Sequence, residues 1–96
     1  MRRLYLVAYD ISDPKRLRRV FKTMRGFGEH LQLSVFQCDL TLMARVEMQA
    51  ALEEIIHHEE DKVLIIDLGL TDARPVKSIG ALGRQARPVR RGPVIA

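Results

Sequence analysis

Asp10 closes the apolar run Leu4, Tyr5, Leu6, Val7, Ala8 and Tyr9, and a block of cations begins five residues later. A carboxylate where a buried strand emerges is well placed to hold a hard cation. Magnesium takes oxygen ligands, keeps several waters and is usually held by one or two carboxylates plus substrate phosphates. One Asp10 per chain is half of such a site, and a two-fold dimer that brings Asp10 beside its mate completes it. The competing role for Asp10 is to cap a turn together with Ser12 and Asp13. Asp13 is read as a helix cap, because Pro14 follows it and has no amide to waste in the first turn. Asp61 is the remaining candidate carboxylate, at the end of the cluster His57, His58, Glu59, Glu60, Asp61. That cluster has the composition of a metal patch, but adjacent helical residues point in different directions and do not easily share one ion. It reads better as a histidine-rich helix terminus favoured by the helix dipole.

The cations Lys15, Arg16, Arg18, Arg19, Lys22 and Arg25 have no acidic residue among them. Arginine-rich surfaces of this kind suit phosphate, and they position a nucleic-acid backbone without reading its sequence. The net charge of +4 conceals the contrast with the segment from Glu47 to Asp72, where Lys62 is the sole lysine or arginine. Phe36 beside Ser34 is core by default, with base stacking or the edge of a shared site as its second role. Cys38 is a small core hydrophobe by default, since no histidine pattern nearby makes it a nucleophile.

The elements that must position these groups fit in one domain, because 96 residues leave no room for two cores. A single cysteine excludes an internal disulfide and zinc-finger readings and fits a reducing compartment. No apolar run approaches the ~20 residues that span a bilayer, so a soluble, cytoplasmic protein without membrane partners is expected. Leu4 to Tyr9 reads as a central strand covered on both faces. Leu17, Val20, Phe21 and Met24 recur at helical spacing, and Gly26 and Gly28 offer the positive φ that ends a helix. Leu31, Leu33 and Val35 alternate on one face, then Phe36, Cys38 and Leu40 on the other. The phase change requires either a bulge in one bent strand or a very tight turn near Val35. Thr41 caps a second helix carrying Met48, Ala51, Leu52, Ile55 and Ile56 and ending near His57 and His58. Val63 to Ile66 forms another strand, closed by Gly69.

The order strand, helix, one or two strands, helix, strand predicts an α+β fold, a ferredoxin-like βαββαβ sandwich with two helices on one face of an antiparallel sheet. The second sheet face then needs a partner. A short extra C-terminal strand is expected over Ser78 to Leu82, so the domain spans 1–83 and 84–96 is a flexible basic tail.

The string YDISDPKRLRRVFKTMRGFGEHLQLSVFQCDLT, Tyr9 to Thr41, resembles the small universal CRISPR-associated adaptation proteins, the Cas two family. Tyr9, Asp10, Ile11, the helix start from Asp13 to Arg19, Gly28, Gln32, Ser34, Val35, Phe36 and Cys38 carry the resemblance. It extends through Asp61 to Gly69 and weakly over Ile79 to Gly83. The resemblance implies a homodimer packed sheet against sheet, the last strand adding to the partner's sheet, with Asp10 of both protomers around a divalent metal, Mg²⁺. It implies a metal-dependent endonuclease or endoribonuclease acting on RNA or duplex DNA, with Asp10 catalytic and metal-binding. Arg16 and Arg19 are then the first helpers by motif position, Arg18, Lys22 and Arg25 join them on nucleic acid, and Tyr9, Ser34 and Phe36 support the site. It also implies a role that needs no hydrolysis, in which the dimer bridges dimers of the CRISPR integrase around duplex DNA during spacer acquisition. A stand-alone toxin-type ribonuclease is a third reading, since such enzymes share the fold.

Overall fold

A computed structural model describes residues 1–71. Its elements run β1 (Arg2–Asp10), α1 (Pro14–Arg25), β2 (Glu29–Gln32), β3 (Val35–Thr41), α2 (Leu42–Ile55) and β4 (Lys62–Leu70). The four strands form one antiparallel sheet in the order β2-β3-β1-β4, with β1 at its centre. This is the expected α+β, ferredoxin-like arrangement. The expected strand over Ser78 to Leu82 and the tail lie outside the described residues.

Local chemistry sets the helix starts. Asp13 caps α1 by accepting the Arg16 amide at 2.9 Å, and Thr41 caps α2 by accepting the Ala44 amide at 3.1 Å. Tyr5, Val7 and Tyr9 alternate onto the helical side of β1, where they meet Val20 and Met24 of α1, Phe36, Cys38 and Leu40 of β3, and Met48 and Leu52 of α2. Met24, Met48, Val20 and Phe36 are fully buried. Truncating one of the two methionines to alanine is expected to cost about 2–5 kcal/mol.

Two turns differ in detail from the sequence expectation. Gly26 ends α1 with φ −81°, in the right-handed region, and the chain leaves through tight bonds from Gly26 to the Thr23 carbonyl and from Phe27 to Met24. Gly28 is needed for closeness rather than for a positive φ. A Cβ there would lie 2.5 Å from both Cys38 Sγ and the Gln37 carbonyl oxygen. Between Leu31 and Phe36 the short hairpin is realised and not the single bent strand, with an irregularity in the pairing besides. Gln32 pairs with Val35 around the two-residue turn Leu33–Ser34, and the register slips between His30 and Gln32. Leu33 takes φ +37°, a left-handed conformation that costs a non-glycine residue about 1–2 kcal/mol.

Both helices lie on one sheet face. On the other, Leu6 sits opposite Ile66 and Ala8 opposite Leu64 and Val35, and Leu64 and Ile66 are exposed. No described helix covers that apolar face.

Candidate functional site

Asp10 is the last residue of β1 and is exposed. By strand alternation it projects with Leu6 and Ala8 from the bare face, opposite to Tyr9. Its cross-strand neighbour is Lys62, yet the two make no ion pair, and the carboxylate has no hydrogen-bond partner among the described residues. The turn-capping role weighed for Asp10 is filled by others: Asp13 caps α1, and Asp61 holds Ser12. Among the described residues, Asp10 therefore keeps its acceptor capacity unused.

Asp61 is the reverse case. Its side chain is fully buried and accepts from the Ser12 amide at 3.0 Å, the His57 amide at 2.8 Å and Arg16 Nε at 2.8 Å, while Ser12 Oγ and Arg16 Nη2 also lie within reach. The Arg16 guanidinium, aided by the two amides and opposed by burial, holds this carboxyl far below the usual carboxylate range. Arg16 Nη2 also bonds Glu60 at 3.1 Å. Asp61 thus ties the β1–α1 connection and the first turn of α1 to the chain entering β4. Arg16, grouped by sequence with the unopposed cations, has its guanidinium engaged by acids 44 and 45 residues away, and so ties α1 to the chain entering β4. Among the described residues no group of three or more His, Cys, Asp or Glu could hold an ion, so the metal reading of His57 to Asp61, already set aside on sequence grounds, gains no support.

The other cations remain outward. Lys15, Arg18, Arg19, Lys22 and Arg25 are exposed and have no acidic partner within 4.0 Å among the described residues. Helical geometry places Arg18, Lys22 and Arg25 at i, i+4 and i+7, one stripe beside Leu17 and Phe21. Arg25 sits with its guanidinium 5.7 Å from the Phe21 ring centre. It stands about 16 Å along the helix from Pro14, and so belongs to a backbone track more than to the Asp10 end.

Arg18 and Lys22 border a groove of about 450 Å³ between α1 and the Leu33–Ser34 turn. Tyr9, Leu17, Phe21, Leu33 and Ser34 complete its lining. The Tyr9 amide donates to the Ser34 carbonyl at 3.0 Å, which fixes the turn against the end of β1 beside Asp10. Tyr9 and Ser34 thus line one groove together, and burial raises the Tyr9 phenol, keeping its hydroxyl neutral. Phe36 does not reach the groove. It is wholly buried behind Tyr9, ring centres 6.2 Å apart, so its core role prevails. Cys38 is likewise core, its thiol pushed up to about 12 by burial. Leu17, Phe21 and Leu33 were read from sequence only as helix and strand positions. The signal available for the first two was their i, i+4 spacing beside Arg18 and Lys22.

Similarity to known proteins converges on one family. The family model for the CRISPR associated protein Cas2 matches residues 1–74. The chain is 50% identical over 96 residues to a CRISPR-associated endoribonuclease Cas2 of Geobacter sulfurreducens, covering 99% of each. It is 58% identical over 65 residues to CRISPR-associated endoribonuclease Cas2 1 of Rhodospirillum rubrum, covering 68% of this chain and 64% of that one. The crystal structure of Streptococcus pyogenes Cas2 superposes with a TM-score of 0.72 at 30% identity, over 83% of this chain and 99% of that one.

Proposed function

The chain belongs to the CRISPR-associated Cas2 family, and from that premise we propose that it is a nucleic-acid-binding homodimer of spacer acquisition with a Mg²⁺-dependent endonuclease centre at Asp10. The observation that carries this reading is the exposed Asp10 carboxylate, without a partner among the described residues, at the rim of an apolar sheet face. Packing that face against a second copy buries Leu6, Ala8, Leu64 and Ile66 and draws two Asp10 residues toward one axis. The donor chemistry fits: two carboxylates are an oxygen-only set of the kind Mg²⁺ accepts, completed by water and phosphate. One chain alone does not supply it, because among the described residues no cluster of three metal-capable side chains exists.

Bound Mg²⁺ supplies Lewis-acid polarisation of a phosphoryl oxygen. The chain's own residues do the rest. Asp10 contributes acceptor oxygens and no donor, which suits a cation or the proton of an attacking water. Arg18, Arg19 and Lys22 neutralise flanking phosphates, and Arg16, locked to Asp61, holds α1 in place so that those charges face outward. The endoribonuclease names of the relatives favour RNA as the cleaved strand.

A second reading is favoured by a specific observation, since neither the apolar sheet face nor the cation stripe requires hydrolysis. In it, the dimer is a scaffold that bridges integrase dimers around duplex DNA. Asp10→Asn separates the two. For a nuclease, Mg²⁺-dependent cleavage disappears while the dimer, measured by light scattering, and duplex affinity persist. For a scaffold, wild type cleaves no more than a mock purification, and Asp10→Asn still supports spacer capture. Cleavage by Asp10→Asn at the wild-type rate would remove Asp10 from the site.

A further inference from the structure

The groove between α1 and the Leu33–Ser34 turn has a composition that phosphate binding alone does not explain. Phosphates need cations and amides, and Arg18 and Lys22 at the rim supply the cations. The walls between them are apolar and aromatic: Tyr9, Leu17, Phe21 and Leu33, with Ser34 as the polar group of the turn. A volume of about 450 Å³ falls in the range of small-molecule sites, ~300–1,000 Å³. Leu33 is 84% exposed yet held in a left-handed conformation that glycine or asparagine adopts more cheaply. His30 stabilises that turn: its Nε2 lies 2.8 Å from the Leu33 carbonyl, and because a carbonyl only accepts, Nε2 carries the proton. The His30 ring is itself packed on Phe21 and Phe36, each at 5.0 Å between centres. An exposed leucine held against its backbone preference, over an aromatic floor and between cations lacking acidic partners among the described residues, is a built wall.

We propose that this groove takes one unpaired nucleobase of a single-stranded nucleic acid, with Arg18 and Lys22 on the phosphates either side of it. The chemistry selects this occupant. A paired base is stacked inside its duplex and cannot enter a concave pocket, whereas a single strand can splay a base onto aromatic and aliphatic walls. An aliphatic or neutral ligand would leave the rim charges without purpose; a nucleotide joins an apolar face and an anion in one unit. The turn is bonded to the end of β1 through Tyr9, so a strand anchored by its base here crosses the sheet end where Asp10 stands. The assignment rests on the reading of α1 as a nucleic-acid surface and adds to its backbone contacts a subsite that holds a base.

The test uses the full chain in EDTA, where cleavage plays no part. Fluorescence anisotropy compares a short oligothymidylate with an abasic strand of the same length and charge. The intact strand is expected to bind at least about fivefold more tightly, the contribution of one stacked base. Leu33→Gly removes the wall and suits the φ of +37°, so it should pull that ratio toward one without lowering the thermal midpoint. Leu17→Ser, at a half-exposed helix position, should do the same with abasic-strand affinity retained. Equal binding of both strands by wild type, or a ratio unmoved by both variants, would overturn the base site while leaving the phosphate-binding reading intact. Binding of neither strand and no duplex would overturn both.

Discussion

Asp10 and Asp61 stand at the same end of the sheet, one finishing β1 and the other leading into β4, and they are opposites in everything but residue type. Asp61 is buried and accepts from an arginine, a hydroxyl and two backbone amides. Asp10 is exposed and accepts from nothing among the described residues. The same division runs through the arginines of α1: Arg16 is locked to Asp61, whereas Arg18 and Arg19 point outward. A carboxylate with every lone pair occupied is a structural joint. One left without a partner among the described residues, at the edge of an apolar face, is the one on which the proposed second copy and cation would act.

The sharpest way to break this contrast is to neutralise each carboxylate in turn. Asp10→Asn should lower Mg²⁺-dependent cleavage by at least roughly 10²-fold, a barrier change of about 2.7 kcal/mol, with no change in thermal midpoint. Asp61→Asn should do the reverse. Its midpoint falls by roughly 10 °C in calorimetry, and any loss of cleavage tracks unfolded protein. The pH dependence follows from the sign of the shift. Because the folded Asp61 carboxyl lies below its ordinary value, its stabilisation is complete above about pH 4 and fades as pH falls further, through the folded value. The stability gap between wild type and Asp61→Asn should therefore stay constant from about pH 8 to 5 and narrow only in stronger acid. A gap that opens or closes near neutrality would deny the Asp61 clamp its role.

The arginine pair gives a smaller effect. Arg18→Ala should weaken binding to all single strands alike and reduce the salt slope by about 0.7 without altering stability. Arg16→Ala should lower the midpoint and barely move the slope. Identical behaviour of the two variants would erase the distinction between locked and outward cations. Cys38 provides the smallest signal. With its thiol pushed up to about 12 and no exposure, it should resist alkylation near pH 8 until the protein unfolds.

Much of this was legible in the chain itself. The Asp13–Pro14 and Thr41 caps, the helical spacing of Leu17, Val20, Phe21 and Met24, and the alternation of Phe36, Cys38 and Leu40 act within a few residues, and the structure realises each. The placement of Asp10 at a strand end was legible for the same reason. Gly28 was not, because its constraint is a close approach to Cys38 ten residues on, and not its own φ. Phe36 could be weighed as core or as stacking platform, but only its place behind Tyr9 settles it in the core.

Periodicity, caps and charge blocks are written in neighbouring residues, so elements and their order follow from the chain alone. Which charges remain available depends on acids that arrive from far along it. Arg16 looks as free as Arg18 until Glu60 and Asp61 fold back onto it. The groove exists only because α1 and a strained two-residue turn are packed side by side. Pairing of lone pairs and cations is a long-range outcome of packing, and no local pattern encodes it.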